Sequence, residues 1–287
     1  MNRISDTQHI SVAFQGEAGA FSEQAARAYF THPIRTIPCA AFSDVFRLVR
    51  HGSALYGVIP IENSIFGSIH ENYDLLRKSN LFIAGELKLR IVHALLANPS
   101  VSLRDIRYVY SHPQALGQCD RFLESLRDVE RLAVYDTAGA ARMIKDQRRT
   151  DAAAIASVEA ARCYGLSVLR KGIETNRKNF TRFLILKKAK TLPRGSAKTS
   201  VIFSIQNRSG SLHKVLGIFA RRRINLFKIE SRPLIGKLWE YLFYLDFEGC
   251  ETDIACSRAL TELRRISSYM KLLGSYPKGK TIMRTPQ

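Results

Sequence analysis

Short, mostly apolar runs alternate with amphipathic segments along the first two thirds of the chain. Residues 10–14 and 56–61 are runs of this kind, which are typical of strands buried on both faces of a sheet. Residues 42–50 instead place apolar side chains three or four positions apart, at helical spacing. The alternation continues to about residue 186 and predicts an α/β domain rich in parallel strands.

Further strands are expected in the apolar runs at residues 82–86 and 89–97. The second run contains His93, and we interpret it as a core residue because polar side chains inside apolar runs usually have buried hydrogen-bond partners. A helix over residues 157–164 is expected to end at Gly165, since glycine readily adopts the left-handed conformation that closes a helix.

The pattern changes after a charged segment at residues 187–198, which contains Pro193 and Gly195 and is typical of a linker. The apolar pattern that follows predicts the order βαββαβ, which is that of a ferredoxin-like domain. Its strands are expected at residues 199–205, 225–230, 239–247 and 270–275, and its helices at residues 211–222 and 252–270.

The composition is that of an ordinary globular protein of two modest domains: 287 residues, 46% apolar and 24% charged. No apolar run is long enough to cross a bilayer, and residues 1–9 have no apolar signal core, so we expect a cytoplasmic protein without a membrane partner. The five cysteines form no C-x-x-C pair and are expected to be reduced thiols rather than a zinc site.

The net charge of +19 raises the possibility of a nucleic-acid partner. The excess is spread, because residues 1–198 hold 29 basic against 18 acidic side chains and residues 199–287 hold 15 against 7. A spread excess is more typical of a solvated surface that also attracts anionic substrates. We therefore expect no nucleic-acid partner.

Polar side chains follow several of the predicted strands. Glu62, Asn63 and Ser64 come directly after the strand at residues 56–61, where open α/β sheets bind ligands, although a helix cap would use similar residues. A strand starting near residue 180 places Thr181 and Phe183 on one face and Arg182 on the other. Spacing alone favours an ordinary strand start, with a turn asparagine and a β-favouring threonine.

Four stretches of the chain resemble signatures of the prephenate dehydratases, which make phenylpyruvate on the route to phenylalanine. In chain order they are Gly16-Glu17-Ala18-Gly19-Ala20-Phe21-Ser22, Pro60-Ile61-Glu62-Asn63-Ser64, Ser111-His112-Pro113-Gln114-Ala115-Leu116-Gly117-Gln118-Cys119 and Asn179-Phe180-Thr181-Arg182-Phe183. The resemblance implies two α/β subdomains with a cleft between them, like periplasmic binding proteins. The implied catalytic domain covers residues 10–187, with a linker at 188–198.

The resemblance also implies the chemistry of the cleft. Prephenate loses a ring hydroxyl and carbon dioxide, and the aromatic product supplies the driving force, so no metal or cofactor is expected. Thr181 is expected to donate to the departing hydroxyl. The other expected catalytic residues are Glu62, Asn63, Ser111, Gln118 and Asn179, and the expected substrate-binding residues are Arg182, Ser22, Ser64 and Thr137.

The C-terminal module, residues 199–278, resembles an ACT domain, a small amino-acid sensor. The resemblance implies that L-phenylalanine binds it and inhibits the enzyme, and that the protein is a homodimer or homotetramer. The expected effector-binding residues are Gly210, Ser211, Leu212, Glu230, Ser231, Arg232 and Pro233.

Two alternatives stay open on the sequence. Residues 67–70 and 136–139 resemble the plant-type arogenate dehydratases, whose substrate differs from prephenate by an amino group on its side chain. A non-catalytic regulator that binds a small molecule in the same cleft is the alternative from a different class.

Overall fold

The computed structural model describes residues 10–233 and 241–283. These residues divide into two compact units. The first unit contains residues 10–72, 87–183 and 281–283, and the second contains residues 73–86, 184–233 and 241–280.

Strands and helices alternate through the part of the chain that precedes residue 188. The strands there are β1 Ile10–Gln15, β2 Ile34–Cys39, β3 Tyr56–Asn63, β4 Gly67–Ser68, β5 Phe82–Arg90, β6 Ala94–Ala97, β7 Tyr108–Ser111, β8 Glu130–Ala133, β9 Ala152–Ala156, β10 Ser167–Lys171 and β11 Phe180–Lys187. The helices are α1 Phe21–Tyr29, α2 Phe42–His51, α3 His70–Lys78, α4 Pro113–Gln118, α5 Asp120–Glu124, α6 Thr137–Asp146 and α7 Val158–Tyr164.

These strands form two sheets. One has the order β16-β5-β11-β3-β1-β2, with β4 added on β3 and with β16 (Lys280–Ile282) at one edge. The other has the order β10-β6-β9-β7-β8. Strand β1 runs parallel to β2 and β3, and β7 runs parallel to β8 and β9, whereas β6 is antiparallel to both its neighbours. The predicted α/β architecture is confirmed, and each sheet contains three neighbouring parallel strands at one end, β3-β1-β2 and β9-β7-β8.

Residues typical of helix ends and turns lie at both ends of α7 and before α1. Ser157 caps α7 by accepting from the Ala160 backbone N–H over 3.0 Å, and Gly165 ends that helix in the left-handed conformation, as predicted. Gly19 lies in the turn before α1 at a φ of +84°, and a Cβ there would come within 2.5 Å of Ala160 Cα. Only glycine fits this close approach.

One strand prediction is wrong. The apolar runs at residues 82–86 and 89–97 were expected to be two strands, but β5 continues to Arg90 and β6 begins at Ala94. The three residues between them leave the first sheet, and the chain then enters the second. Residues on both sides of this break are buried, so the hydrophobic pattern carries no sign of it. Strands β2 and β10 have no counterpart among the predictions.

The second unit contains the predicted βαββαβ order. Its elements after residue 196 are β12 Ala197–Ile205, α8 Ser211–Ala220, β13 Leu226–Pro233, β14 Tyr241–Glu248, α9 Ile254–Ile266 and β15 Tyr269–Pro277. They form an antiparallel sheet in the order β13-β14-β12-β15, and both helices contribute to one apolar core with it. The predicted strand at 239–247 begins at Tyr241 within the described residues, and residues 239 and 240 lie outside them.

Helix α9 is shorter than predicted, since its first residue follows Asp253 and Ser267 is already extended. Across residues 10–233 and 241–283, no helix is long and apolar enough to span a membrane. The same residues contain no cluster of histidine, cysteine and acidic side chains that could hold a metal ion.

Candidate active site

A cavity of about 370 Å³ lies in the first unit, at the carboxyl ends of parallel strands from both sheets. Its walls follow β1, β3 and β7, which is where α/β sheets place ligands. Its volume falls in the range of small-molecule sites, about 300–1,000 Å³. The polar residues that line it are Gln15, Ser22, Asn63, His93, His112, Gln114, Gln118, Tyr135, Asp136, Thr137 and Thr181.

Asn63 joins the end of β3 to the start of β11. Its Nδ2 donates to Thr181 Oγ1 over 3.0 Å and to Asn179 Oδ1 over 2.8 Å. Its Oδ1 accepts from the backbone N–H groups of Ile65 and Phe66, over 2.9 and 3.1 Å. The side-chain amide is therefore fully used within the protein and holds the Thr181 hydroxyl in place.

Thr181 and Arg182 point to opposite faces of β11, as the strand pattern predicted. Thr181 and Phe183 line the cavity, whereas Arg182 does not. The Arg182 side chain is 8% exposed and lies 3.9 Å from Glu62, whose side chain is 37% exposed. Arg182 was expected to bind substrate and Glu62 to be catalytic, but neither side chain lines the cavity. Strand alternation turns both to the face opposite Asn63 and Thr181.

Two other predicted residues also lie off the wall. The Ser111 hydroxyl is completely buried and donates to the Ile155 carbonyl over 2.6 Å, so it ties β7 to β9. The Ser64 hydroxyl donates to the Lys178 carbonyl and accepts from the Phe180 N–H, both over 2.9 Å, and fastens the chain after β3 to the start of β11. Each hydroxyl has a backbone partner that the sequence could not reveal.

His93 lies on the cavity wall beside Gln118. The His93 Nε2 and Gln118 Oε1 atoms are 2.5 Å apart, and the edge of one ring of the Phe21–His93 pair meets the face of the other at 5.3 Å between centroids. Burial lowers the pKa of His93 to about 4, against a smaller opposing effect of the Gln118 hydrogen bond. The sequence predicted that His93 is a buried core residue, and it is buried, but the prediction did not place it at the cavity.

The amino-terminal ends of α1 and α6 also meet this cavity, through Ser22 and Thr137. The unpaired N–H groups in the first turn of a helix favour anions. Asp136 caps α6 by accepting from Gly139 N–H over 2.7 Å, and its second oxygen accepts from Glu17 N–H over 3.2 Å. Burial raises the pKa of Asp136 against these hydrogen bonds.

Tyr135 and Glu17 meet at the edge of the cavity. The Tyr135 hydroxyl donates to Glu17 Oε1 over 2.8 Å, and Arg142 donates to Glu17 Oε2 over 3.1 Å. Burial, followed by the Glu17 hydrogen bond, raises the pKa of Tyr135. These contacts connect the turn after β1 with the segment that leads into α6.

Sequence reasoning selected Ser22, Asn63, Gln118, Thr137 and Thr181, and the fold brings all five to one cavity. Asn179 stands directly behind them, fully buried against Asn63. The residues that it missed are Gln15, His93, His112, Gln114, Tyr135 and Asp136. Four of the missed residues follow β7 or β8 and Gln15 ends β1, so the strand-end rule that selected Asn63 points to these five as well.

A smaller cavity of about 270 Å³ lies in the second unit. Ser211, Leu212 and Ser231 of the predicted effector residues line it, together with Arg208 and Tyr241. Gly210 precedes α8 with a φ of +80° and does not line the cavity.

The other predicted effector residues lie elsewhere on β13, and Pro233 ends that strand off the cavity wall. Glu230 Oε2 lies 2.9 Å from Lys228 Nζ, and Arg232 lies 3.3 Å from Asp74. Strand alternation separates these two side chains from Ser231, which faces the cavity.

The fold and the cavity define an α/β enzyme that binds a small molecule at its strand ends and carries a separate βαββαβ module. The family models are more specific. The prephenate dehydratase model matches residues 12–191, and the ACT domain model matches residues 199–255. The chain belongs to the prephenate dehydratase family, whose members are carbon–oxygen lyases, and it carries an ACT domain. The finer domain limits stay a prediction.

Known proteins resemble the chain over nearly its whole length. An arogenate dehydratase/prephenate dehydratase 2 of Arabidopsis thaliana is 44% identical over 98% of this chain and 76% of the relative. A structure described as GqqA, a novel type of quorum quenching acylase, has a TM-score of 0.85 and 35% identity, over 93% of this chain and 98% of its own. A prephenate dehydratase of Arthrobacter aurescens in complex with L-Phe has a TM-score of 0.86 and 31% identity, over 94% and 90%.

Proposed function

We propose that the protein converts prephenate to phenylpyruvate, water and carbon dioxide, with Thr181 as the hydrogen-bond donor to the departing hydroxyl. The observation that carries this proposal is the 3.0 Å hydrogen bond from Asn63 Nδ2 to Thr181 Oγ1. A threonine hydroxyl has one hydrogen and two lone pairs. Because Oγ1 accepts from Asn63, one lone pair is occupied, and the hydroxyl hydrogen is left for a partner in the cavity.

The reaction needs little covalent help from the protein. The ring carboxylate leaves as carbon dioxide, its electron pair enters the ring, and the hydroxide leaves with a proton as water. A fixed donor at the leaving oxygen stabilises the charge that develops there, and a donor that is already oriented requires no reorganisation during the reaction.

The lining of the cavity suits a substrate bound by neutral donors. Among the described residues that line it there is no lysine or arginine, and burial lowers the pKa values of both His93 and His112. Ser22, Gln118 and Thr137 offer uncharged hydrogen bonds, and two helix amino termini favour carboxylates. A poorly solvated ring carboxylate loses carbon dioxide more readily, because its charge is dispersed in the transition state.

One observation favours arogenate as a second candidate substrate. Within residues 10–233 and 241–283, Asp136 is the only carboxylate that lines the cavity. It would repel a dianionic substrate and attract the ammonium group that arogenate carries. The relative from Arabidopsis thaliana bears both activities in its name.

The decisive experiment is turnover by the full-length protein on both substrates in parallel. Phenylpyruvate formation from prephenate, followed by its absorbance, supports the first proposal, and phenylalanine formation from arogenate supports the second. Binding of either compound without turnover would instead identify a non-catalytic regulator.

We further propose that L-phenylalanine binds the ACT domain and inhibits turnover. The cavity of about 270 Å³ beside the start of α8 supports this, since the first turn of a helix favours a carboxylate and Tyr241 and Phe243 supply aromatic surface. Titration calorimetry and inhibition curves on the intact protein test it. The homodimer or homotetramer stays a prediction, and light scattering on the intact protein tests it by measuring the molar mass.

A further inference from the structure

The chain around His93 and the end of α4 are held by the same short segment. The His93 carbonyl accepts from Gly172 N–H over 2.8 Å, and its own N–H donates to Glu174 Oε2 over 3.0 Å. The Gln118 carbonyl accepts from Thr175 N–H over 2.8 Å. Residues 172–175 therefore fix the backbones of His93 and Gln118 relative to one another.

The His93 ring is fixed as well. Its plane stands at 89° to the Phe21 ring, and the residue is 2% exposed, so the ring has little freedom to turn. Its Nε2 atom lies 2.5 Å from Gln118 Oε1. Its Nδ1 atom is buried and has no hydrogen-bond partner among the described residues.

This geometry determines the position of the ring hydrogen. An amide oxygen can only accept, so Nε2 must carry the hydrogen and Nδ1 must hold the lone pair. A neutral ring agrees with this assignment, since burial lowers the pKa of His93 to about 4. With its oxygen held by His93, the Gln118 amide turns its nitrogen, and both of its hydrogens, away from the ring.

We propose that His93 is a positioning residue that holds the Gln118 amide with its N–H donors directed into the cavity. The donors then suit an acceptor oxygen of the substrate, a carboxylate or a ketone. Without His93, the amide can rotate and present its oxygen instead, which repels such a group. The inference rests on the proposed function for its substrate, while the ring tautomer and the orientation of the amide are properties of the free protein.

The kinetic test is a double-mutant cycle on kcat/KM with His93→Leu and Gln118→Ala. His93→Leu is expected to lower kcat/KM about tenfold, in line with the loss of one neutral hydrogen bond. In the Gln118→Ala background the same change is expected to have almost no further effect, because the amide that it orients is gone. His93→Gln, which keeps a donor at a similar reach, is expected to stay within about threefold of wild type.

A matched control distinguishes positioning from packing. Cys119 neighbours Gln118 and is fully buried in the core of the second sheet. Any loss caused by Cys119→Ala should persist unchanged in the Gln118→Ala background. If the His93→Leu loss persists in the same way, His93 only supports the core, and the inference is wrong.

A spectroscopic measurement on the wild-type protein tests the same inference. It depends neither on turnover nor on the folding of any variant. Long-range ¹⁵N–¹H correlation of histidine-labelled wild type is expected to show the His93 hydrogen on Nε2, and a hydrogen on Nδ1 would overturn the inference. Absence of turnover on both prephenate and arogenate would instead contradict the proposed function, and the tautomer would still decide the orientation of Gln118.

Discussion

Asn63 and Thr181 are 118 positions apart in the sequence, and their side chains meet in a 3.0 Å hydrogen bond. The bond joins the end of β3 to the start of β11, two neighbouring strands of one sheet. It has a direction: the amide donates and the hydroxyl accepts, so the hydroxyl hydrogen is free to act on a substrate.

Thr181→Val keeps the shape of the side chain but removes the hydroxyl. We expect kcat to fall about 100-fold or more, in the range of lost general-acid catalysis. Thr181→Ser keeps the hydroxyl and should retain more activity than the valine variant. Steady-state kinetics with circular dichroism of both variants measure this, and near-normal turnover in folded Thr181→Val would exclude Thr181 as the donor.

Asn63→Asp separates the two functions of the Asn63 amide. The aspartate keeps an acceptor for the Ile65 and Phe66 N–H groups but loses the donor to Thr181 and Asn179. We expect kcat to fall about tenfold or more, while the melting temperature falls less than in Asn63→Ala.

Asn98 provides the control for this experiment, because its amide donates to the Ile144 and Arg149 carbonyls away from the cavity. Asn98→Ala should lower stability and leave kcat of the folded protein close to wild type. Equal losses of kcat in the Asn63 and Asn98 variants would show that Asn63 acts only through stability.

His93 should make stability depend on pH in a defined window. The pKa of His93 is lowered from 6.5 to about 4 by burial, so between these values the unfolded chain binds a proton that the folded protein excludes. The free energy of unfolding should therefore fall as the pH drops from about 6.5 to about 4. The loss from this residue approaches about 3 kcal/mol at the lower end.

Urea unfolding across this pH range measures the effect. The His93→Gln variant lacks the titrating group, and its stability should fall less steeply than that of wild type over the same interval. Parallel curves for the two proteins would show that His93 does not exclude the proton.

Gly19 and Gly52 provide a matched pair for testing the turn before α1. Both have positive φ angles, +84° and +79°, so alanine strains the backbone similarly at each. A Cβ at Gly19 would lie 2.5 Å from Ala160 Cα, whereas a Cβ at Gly52 meets nothing within 4 Å. We expect Gly19→Ala to cost about 1–3 kcal/mol more than Gly52→Ala, from overpacking, in chemical denaturation. Equal costs would contradict the close approach.

Ser231 tests the effector cavity of the ACT domain. Ser231→Phe places a large side chain on the cavity wall and should weaken phenylalanine binding at least tenfold, as measured by calorimetry. Ser257→Phe, on an exposed position of α9, is the control and should bind as wild type does. Unchanged affinity in Ser231→Phe would place the effector elsewhere.

The elements and much of the candidate site follow from the amino-acid sequence alone. Apolar runs and helical spacing predict the α/β order and the βαββαβ module, because burial requires those patterns. Asn63 ends β3, Thr181 lies at the start of the neighbouring β11, and Gln118 ends the helix that follows β7, so polar residues near strand ends were the ones to select. The two-residue period of a strand also predicted that Thr181 and Arg182 would face opposite ways.

The partner of each polar group, in contrast, depends on how distant segments pack. Ser111 follows the same rule as Asn63, yet its hydroxyl bonds to the Ile155 carbonyl of a neighbouring strand. His93 lies in an apolar run, and its partner Gln118 is 25 positions away. A hydrophobic pattern reports that a residue is buried, but the bonds of a buried polar group depend on which distant segment packs against it, and that is settled only when the sheets assemble.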